Sequence, residues 1–519
     1  MMMQAYQMLI QKDEVGYVRR IKRNLGIVRL PGMQKILFFG SVTPDIELIV
    51  RQFILARLGG VRLHKAILYS LGSGKKISFP FSQTLRAVLV NEGVSISHWR
   101  SVLLLFGHCL ALYIKGVKTI FIIIFHNIKR LFNPTSIPKR PFAVFHELSD
   151  YNLPRPNKQG NSYDFISWFN QWNGFGKLYG IYHDVSSFKK GINLNGTTVD
   201  YKEIRIPIIR NFGNICLFIL WSIFAATTAF FSLIIGRWWY ALLLGELARA
   251  AAIRYSKKED LADMYLFCNS DAVYRPIWTY EAEAKGSRVI SYFYSTFEEF
   301  KLPKGYEPNS IYWSLMSWSY YLVWDEYQKA LLKESIGEQP KIEVVGPIWY
   351  SSAPVDIPEI SQQSIAVFDI QPIKNSRHFG FSTMADIGYG DPKIPMKFMQ
   401  DIIDSLPPDA VIVHKRKRAD NRSYKPYTLL IEKFRQNGSL IAIEPQASPN
   451  SVIEKCTAVI SMPFTSTGII AKYLDKPSAY YDPSGKLLKD DKGAHGITIL
   501  SNEQELRSWI CNALADKKA

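Results

Sequence analysis

The stretch Ile443–Asp482, IEPQASPNSVIEKCTAVISMPFTSTGIIAKYLDKPSAYYD, places an apolar run before a cluster of hydroxyl residues and an apolar helical pattern. Residues 458–460 are typical of a buried strand, which should end at Pro463 because proline has no amide hydrogen to donate. The hydroxyl residues before Gly468 suit a helix N-cap. We therefore expect a turn at the positive end of a helix, where hydroxyls and free backbone N–H groups can bind a phosphate.

Short apolar runs and helical patterns alternate on both sides of this turn. The runs SIAVFDIQP, AVIVHKRKR, SLIAIEPQ, AVISM and PSAYYD predict strands, and the segments KFMQDIIDSL, YTLLIEKF, NSVIEKC and GIIAKYL predict helices. Such an alternation predicts a doubly wound parallel sheet, which binds its ligands beyond the carboxyl ends of its strands.

Polar residues stand at four of these strand ends and mark a candidate site. They are Asp369, the basic run from His414 to Arg418, Glu444, and the turn from Ser461 to Gly468. Each has a structural alternative: a turn cap for Asp369, a solvated loop for the basic run, a loop residue for Glu444, and helix capping for the turn. Capping explains one hydroxyl of the turn, which contains four.

The earlier part of the chain repeats the alternation of strands and helices. KILFFGSV from Lys35, PFAVFHELSD and MYLFCNSDAVYR contain strand patterns between helical ones. A polar stretch follows Gly346 and Pro347, which predicts a boundary between lobes. The sequence thus predicts an α/β protein with two Rossmann-like lobes, an N-terminal lobe over residues 1–346 and a C-terminal lobe over residues 347–519.

The composition indicates a large folded protein with an anionic partner. The 519 residues are 47% hydrophobic, and the formal net charge is +18. Nucleic acid, acidic lipid headgroups and a phosphorylated substrate all fit that charge, but no nucleic-acid-binding module is recognisable. The five cysteines show no CxxC pair and no His cluster at metal spacing, so we expect reduced thiols in the cytoplasm and no bound metal.

Two segments of the N-terminal lobe have membrane character, 101–125 and 215–236, and the second is long enough for a hydrocarbon core of about 30 Å. A single span would divide a shared fold between two sides of a membrane, and a two-span hairpin would export the basic segment between them. We therefore expect in-plane or shallowly re-entrant attachment to an anionic membrane surface, with Trp238, Trp239 and Tyr240 at the interface. A buried core helix is the alternative.

The run VISMPFTSTGIIAKYLDKPSAYYD resembles the signature of the polysaccharide-biosynthesis proteins named for their PFTS motif, matched here by Pro463, Phe464, Thr465 and Ser466. From about residue 341 to about residue 505, the order of carboxylate strand, His strand and Ser/Thr turn is similar to bacterial Kdo and sialic-acid-type glycosyltransferases of the GT-B type. Lys415 departs from that pattern, because the related transferases usually have proline after the histidine.

The resemblance implies a metal-independent glycosyltransferase of capsular or O-antigen polysaccharide biosynthesis. Its donor would be a nucleotide sugar, with a CMP-activated 2-keto sugar acid favoured, and it would need no cofactor. Its acceptor would be a lipid-linked or growing glycan at the cytoplasmic face of a bacterial inner membrane. Cationic side chains and helix-terminal N–H groups would stabilise the negative charge that develops on the leaving nucleotide.

The resemblance also assigns roles to the polar residues at the strand ends. Asp369 is the implied catalytic carboxylate, as a general base or a nucleophile. The donor and its phosphate would contact His414, Lys415, Arg416, Lys417, Glu444, Ser461, Thr465, Ser466, Thr467 and Gly468. The acceptor-side candidates in the N-terminal lobe are Asn269, Tyr274, Arg275 and Glu281.

A second hypothesis is a non-catalytic, membrane-associated scaffold of a polysaccharide assembly complex. Its C-terminal lobe would bind a nucleotide or an anionic glycan without turning it over. Hydrolysis of a nucleotide sugar, with or without an acceptor, distinguishes the two hypotheses.

Overall fold

Two β-sheets organise the protein in the computed structural model. It describes residues 17–30, 33, 45–133, 138–148, 152–154, 164–172, 176–186, 191–201, 207–268, 273–293, 311–347, 357–360, 363–372, 391–416, 423–445 and 447–515. The strand predicted at Lys35 lies outside these residues. The first sheet ends at Val344 and the second begins at Gln363, and the expected lobe boundary lies between them.

The N-terminal part combines a helical region with the first sheet. Its helices are α1 (Tyr17–Ile27), α2 (Ile46–Arg57), α3 (Val61–Ser73), α4 (Gln83–Asn91), α5 (His98–Phe132), α6 (Phe165–Trp172), α7 (Phe212–Ile234), α8 (Trp239–Tyr255), α9 (Trp278–Ala284), α10 (Ile311–Ser314) and α11 (Glu326–Ile336). Its strands are β1 (Phe142–His146), β2 (Gly180–His183), β3 (Ile192–Leu194), β4 (Thr197–Tyr201), β5 (Met264–Cys268), β6 (Arg288–Tyr292), β7 (Tyr320–Val323) and β8 (Lys341–Val344).

The first sheet has the strand order β3-β4-β2-β1-β5-β6-β7-β8, and only β3 runs antiparallel to its neighbour. Its central strand β1 is buried on both faces, because Phe142 and Val144 pack into one hydrophobic cluster and Ala143 and Phe145 into another. Burial on both faces explains why such strands are continuous apolar runs. The sequence order reverses between β1 and β5, so this sheet has a topological switch point there.

Helices α1 to α4 form a helical core with α8 rather than a layer on the sheet. Helix α8 also packs against α5 and α7, and is therefore buried on most of its surface. It meets α5 closely at Gly116, where a Cβ would lie 2.8 Å from Leu244 Cβ and 2.9 Å from the Gly245 nitrogen. Only glycine allows this close approach of the two helices.

The C-terminal part contains the second sheet. Its helices are α12 (Lys393–Asp404), α13 (Lys425–Gln436), α14 (Pro449–Lys455), α15 (Ser466–Tyr473) and α16 (Glu503–Ala515). Its strands are β9 (Gln363–Phe368), β10 (Ala410–Lys415), β11 (Leu440–Ile443), β12 (Ala458–Ser461), β13 (Ser478–Tyr481) and β14 (Thr498–Leu500). They lie in the order β11-β10-β9-β12-β13-β14 and are all parallel, which is the doubly wound order expected from the sequence.

The two parts meet where α11 begins. Asp325 accepts the backbone N–H of Gln328 as the N-cap of α11, and its carboxylate also pairs with His495 of the C-terminal part. Lys472 on α15 donates to the His495 carbonyl oxygen at 2.7 Å. Trp324 packs into the hydrophobic core of the second sheet. The end of the first sheet is thus joined to the second lobe by polar and apolar contacts.

The two apolar segments predicted from the sequence are the helices α5 and α7, and both are long and apolar enough to cross a membrane. Only 22% and 33% of their most apolar windows are buried, so neither is the core helix that was the alternative. Their outward faces expose several large apolar side chains, among them Phe121 and Phe125 on α5 and Leu220 and Phe231 on α7.

The tryptophan expected beside these helices has a different position. Trp239 is buried in the helical core, so the prediction of an interfacial position is wrong for this residue. It begins α8, whose buried surface faces the helical core there. Trp238 and Tyr240 are half-buried.

Candidate donor site and family

The carboxyl edge of the second sheet contains the switch point at which its strand order reverses, between β9 and β12. Asp369 follows β9 directly, and Ser461 is the last residue of β12. The register of the two strands pairs Ser461 with Phe368, so both polar residues stand at the same edge. In doubly wound sheets, ligands bind in the crevice outside this edge. The topology therefore gathers residues that lie far apart in sequence.

The hydroxyl residues of the turn after β12 largely bond to one another. The hydroxyl groups of Ser461 and Thr467 lie 2.9 Å apart, and those of Thr465 and Thr467 lie 3.1 Å apart. Thr465 also donates to the Met462 carbonyl oxygen at 2.9 Å. These bonds hold the turn in shape, so three of its four hydroxyls have a structural role.

Gly468 fixes the position of the turn against β13. A Cβ at this position would lie 2.8 Å from the ring of Tyr480, which is fully buried. The Tyr480 hydroxyl donates to the Thr465 carbonyl oxygen at 2.9 Å, and its ring packs edge-on against Phe464. The peptide bond between Pro463 and Phe464 is cis. A side chain at Gly468 would separate the turn from this tyrosine.

Ser466 is the residue of the turn that is available to a ligand. It begins α15, is half-buried, and its hydroxyl has no partner among the described residues. The first N–H groups of a helix have no acceptor within the helix, and the helix dipole places partial positive charge there. The start of α15 can therefore bind an anion with backbone N–H groups and one hydroxyl.

Asp369, His414 and Tyr427 form a buried cluster beside the turn. The Tyr427 hydroxyl donates to Asp369 Oδ2, and His414 Nε2 lies 3.3 Å from that hydroxyl and 3.4 Å from Asp369 Oδ1. The side chains of Asp369 and His414 are completely shielded from solvent. Burial, and next the negative charge of Asp369, raise the pKa of Tyr427 far above its usual value. The phenol therefore stays protonated and donates to the carboxylate.

The basic residues at the end of β10 lie beside this cluster. Lys415 is buried and donates to the Arg416 carbonyl oxygen at 3.3 Å. Arg416 is half-buried, and its charge lowers the pKa of Tyr427 against the larger effects of burial and Asp369. Lys417 lies outside the described residues. Glu444 follows β11 and is exposed. Of the predicted donor-site residues, His414 contacts Asp369, and the charge of Arg416 acts on Tyr427.

The acceptor-side candidates differ in their surroundings. Arg275 is buried, forms an ion pair with Glu283 and donates to the Ser317 carbonyl oxygen at 2.8 Å. Glu281 accepts from Arg254 at 2.6 Å. Both therefore have partners within the lobe and stabilise its packing. Asn269 lies outside the described residues.

Tyr274 is the remaining acceptor-side candidate and has no such partner. Its hydroxyl is shielded and has no hydrogen-bond partner among the described residues.

Tyr427 is a member of the buried cluster that the sequence did not indicate. It stands in the first turn of α13, where its spacing from the apolar residues Ile431 and Phe434 resembles that of an ordinary core residue. A signal for its role would have been the position of α13 directly after the His strand. The part of the chain that the structure describes has no group of three or more acidic, His or Cys side chains able to hold a metal ion.

Solved structures with a similar fold include several sugar transferases. HepE of Anabaena, solved with UDP and glucose, shares 10% identity over 73% of this chain and 91% of its own, with a TM-score of 0.36. The glycotransferase of kitacinnamycin shares 10% identity over 73% and 92%, with a TM-score of 0.37. A UDP-glucosyltransferase from Polygonum tinctorium shares 10% over 74% and 95%, with a TM-score of 0.35. At these values the likeness concerns the overall fold alone.

The comparison with curated proteins found no significant match. A family model does match the sequence over residues 221–510, which is more than half of the chain. Its description is that of the polysaccharide biosynthesis PFTS motif proteins. The match includes the turn from Pro463 to Ser466, for which the family is named, and that turn lies at the switch point of the second sheet. The chain therefore belongs to the family of polysaccharide biosynthesis PFTS motif proteins.

Proposed function

We propose that this protein is a glycosyltransferase that takes a sugar from a nucleotide-activated donor bound at the carboxyl edge of its second sheet. The observation that carries the proposal is the coincidence of the family's own motif with the switch point of a doubly wound sheet. Such switch points are where this class of fold binds nucleotides. The product would be a surface polysaccharide, capsular or O-antigen, as the family's name and the resemblance suggest.

The donor phosphate would bind at the start of α15. Ser466 and the first N–H groups of that helix supply hydrogen bonds, and the helix dipole supplies positive potential. His414, Lys415, Arg416 and Lys417, from the neighbouring strand end, would add positive charge or hydrogen bonds to the same phosphate. His414 and Lys415 are buried, so they would have to become accessible when the donor binds. These groups act most strongly as the glycosidic bond breaks, because the negative charge on the phosphate is then largest.

Asp369 is proposed to act through His414 as well as on the substrate. Its carboxylate is shielded and is held by the Tyr427 hydroxyl, and the His414 ring lies within 3.4 Å. A carboxylate in this position fixes the orientation of an imidazole ring. This arrangement favours a positioning role for Asp369, whereas a direct catalytic role requires the residues around it to move.

The nucleotide is proposed to be CMP, since the order of carboxylate strand, His strand and Ser/Thr turn resembles transferases of 2-keto sugar acids. The departure at Lys415 makes UDP the main competitor. Titration of the full-length protein with CMP, UDP, GDP and dTDP tests this, because a ligand that binds only the folded state raises the melting temperature. Selective stabilisation by UDP or GDP would exclude CMP, and stabilisation by none of the four would overturn the donor site.

Turnover distinguishes the transferase from the scaffold alternative. The protein should release nucleotide from the nucleotide sugar that it binds, and the release should accelerate when a glycan acceptor is present. Binding without any release, with and without acceptor, would support the non-catalytic scaffold instead.

The protein is further proposed to work on a membrane surface, at the cytoplasmic face of the inner membrane. Strand β1 pairs with β5 in one sheet, although α7 lies between them in the sequence. A bilayer crossing by α7 would need a return crossing by α8, but α8 is buried inside the protein. The exposed apolar faces of α5 and α7 therefore suit attachment from one side, with the bilayer as the apolar partner and acidic headgroups as partners for the basic chain.

Sedimentation with phosphatidylglycerol liposomes tests this attachment. Leu220 and Phe224 on α7 are 64% and 58% exposed, so replacing both with glutamate should abolish association. Val90 on α4 is 55% exposed outside the two helices, and Val90→Glu is the matched control that should still sediment. Wild-type protein that stays soluble at low salt without detergent would contradict attachment, and a pellet that resists high salt would indicate deeper insertion.

A further inference from the structure

The carboxyl edge of the first sheet carries a second group of polar side chains, outside the donor site, that are half-buried. Four of their atoms are shielded from solvent and have no hydrogen-bond partner among the described residues. They are His146 Nε2, Glu246 Oε2, Arg249 Nε and Tyr274 Oη. We call these four residues the switch-point cluster, because His146 ends β1 at the switch point between β1 and β5.

The four residues come from three parts of the chain and lie close to one another. Glu246 and Arg249 stand one turn apart on α8, and Arg249 Nη1 donates to Glu246 Oε1 at 3.0 Å. The charge of Arg249 acts on both His146 and Tyr274, and that of Glu246 acts on Tyr274. The His146 ring also lies 5.5 Å from that of Trp278. The cluster is therefore a single site with an aromatic wall.

Unpaired polar atoms are costly inside a protein, so four at one place call for a partner that they bind. Glu281 and Arg275, in the same region of the chain, are engaged with Arg254 and Glu283. Other shielded atoms of the described N-terminal part also lack a hydrogen-bond partner, among them Gln52 Oε1, His108 Nε2 and Trp239 Nε1. The switch-point cluster differs in bringing four such atoms together at the edge of the sheet where this class of fold binds ligands.

The chemistry of the cluster suits a neutral ligand with several hydroxyl groups. Burial, with a smaller contribution from Arg249, lowers the pKa of His146 to about 4, so the ring is neutral. Burial, followed by the charge of Glu246, keeps the Tyr274 phenol protonated by raising its pKa well above the usual value. Glu246 and Arg249 neutralise each other. The further charge that acts on Tyr274 is that of Arg57, which is exposed. The cluster itself thus offers donors and acceptors with one pair of opposite charges, which matches sugar hydroxyls rather than a phosphate.

We propose that His146, Glu246, Arg249 and Tyr274 bind a sugar residue of the acceptor glycan. This inference rests on the proposed glycosyltransferase function for the identity of the ligand as acceptor. Glu246 would accept hydrogen bonds from sugar hydroxyls, and Arg249 Nε would donate one. Helix α8 packs with its other side on α5 and α7, so the site lies beside the helices proposed to contact the membrane, and an acceptor anchored in lipid can reach it.

Binding of oligosaccharides to the full-length protein in phosphatidylglycerol nanodiscs tests the proposal. The probes are oligosaccharides released by mild acid from the host cell's surface polysaccharide, and the same glycans with their lipid attached. Both Glu246→Gln and Tyr274→Phe should raise the Kd for these glycans about tenfold, the scale of one or two lost hydrogen bonds. Tyr69→Phe, on the exposed surface of α3, is the matched control and should leave the Kd unchanged.

A second readout separates ligand binding from a structural role. If the Tyr274 hydroxyl awaits a ligand, Tyr274→Phe removes an unpaired buried group, and the melting temperature of the free protein should stay the same or rise. A lower melting temperature with unchanged glycan affinity would overturn the proposal, as would wild-type protein that binds none of the glycans. Tighter binding of the lipid-linked glycans alone would identify the lipid-linked source.

The outcomes for this site and for the donor site can be told apart. Nucleotide affinity should be the same in wild type, Glu246→Gln and Tyr274→Phe. Protein that binds glycans but no nucleotide would contradict the proposed donor site and leave the sugar-binding site in place. Protein that binds and hydrolyses a nucleotide sugar, with glycan affinity equal in all variants, would contradict the sugar-binding site and leave the proposed donor site in place.

Discussion

The two sheets of this protein reverse their strand order in the same way but present different chemistry at the point of reversal. At the second sheet, Asp369, His414 and Tyr427 contact one another, two of their atoms (Asp369 Oδ1 and His414 Nδ1) lack hydrogen-bond partners within the described part of the chain, and a helix start offers N–H donors. At the first sheet, the switch-point cluster leaves four shielded polar atoms without partners in the described structure. Both edges have the same topology, whereas their polar groups are suited to different ligands.

From this difference we infer that the topology of a sheet determines where a ligand binds, and that the side chains there determine which ligand binds. An edge with helix N–H groups and basic residues suits an anion such as a phosphate. An edge with a neutral imidazole, a phenol and a paired Glu246 and Arg249 suits uncharged hydroxyls. A transferase needs one site of each kind, since its donor is charged at the leaving group and its acceptor reacts through a hydroxyl.

Asp369→Asn should have the largest effect of the substitutions, and it should lower turnover at the edge of the second sheet. The substitution keeps the shape of the side chain but removes the charge beside His414, so kcat should fall about a hundredfold or more while the nucleotide Kd changes little. Steady-state kinetics and nucleotide titration measure the two quantities. Asp409→Asn, at an exposed position before β10, is the control and should behave as wild type. A lower melting temperature with unchanged kcat per folded molecule would assign Asp369 a purely structural role.

Ser466→Ala and His414→Ala should weaken nucleotide binding at the second sheet and leave glycan binding at the first sheet unchanged. Each would remove a proposed hydrogen bond to the donor phosphate, so nucleotide affinity should fall by about 1.5–3 kcal/mol, roughly ten- to a hundredfold. Calorimetric titration with the preferred nucleotide measures this, and the Kd for acceptor glycans should not change. Ser508→Ala on the exposed face of α16 serves as the control. Equal losses for nucleotide and glycan would show that the edges do not act separately.

Gly468→Ala should destabilise the carboxyl edge of the second sheet, because the added carbon disturbs the packing there. The new Cβ would lie 2.8 Å from the buried ring of Tyr480, so we expect a loss of unfolding free energy of up to about 3 kcal/mol. Urea denaturation measures that loss, and nucleotide affinity should weaken because Thr465 would lose its position. Gly60→Ala, where nothing lies within 4 Å of the added carbon, should cost much less. An unchanged unfolding free energy in Gly468→Ala would show that the turn can move away from Tyr480 without loss of stability.

Acid should lower the free energy of unfolding through His146, at the carboxyl edge of the first sheet. Its pKa is about 4 in the folded protein, and an unfolded histidine has a pKa of about 6.5. The unfolded chain therefore takes up the proton first, so the contribution of His146 is complete above about pH 6.5 and is lost as the pH falls towards 4. At about pH 5 the loss should be about 2 kcal/mol.

Urea denaturation of wild type and His146→Phe at about pH 7.5 and about pH 5 measures this loss. Phenylalanine keeps the stacking on Phe267 but cannot take up a proton, so the variant should lose less stability in acid. His98→Phe, at an exposed position, should retain the full wild-type loss. Identical acid sensitivity of wild type and His146→Phe would show that His146 is not the group responsible.

Most strands and helices of the C-terminal part could be predicted, because the strands are short apolar runs and the helices repeat their apolar residues at helical spacing. The last elements, β14 and α16, were not predicted from the sequence. The place of Asp369 and Ser461 at one edge also followed from the pattern, since parallel strands end on the same side. Their contacts did not follow, because Tyr427 has the spacing of a core residue and joins the cluster only through the tertiary fold.

The switch-point cluster could not be predicted for a related reason. Glu246 and Arg249 lie in α8, whose sequence is apolar and follows a segment of membrane character. Helical spacing places them one turn apart, but it does not show that β1 ends beside them. The wrong position expected for Trp239 has the same origin, because an aromatic residue beside an apolar segment fits both a membrane interface and a helical core.

The pairing of β1 with β5 also constrains how the chain can be made. The two strands are separated by residues 147 to 263, which include α7, and a ribosome adding about 5–20 residues per second needs roughly 6 to 23 s for them. If the protein attaches to a membrane as proposed, α5 and α7 are available to the insertion machinery during that interval without a completed sheet to hold them. Insertion of α7 across the bilayer would then place β1 and β5 in different compartments. Under that proposal, biogenesis depends on delaying insertion until β5 has been synthesised.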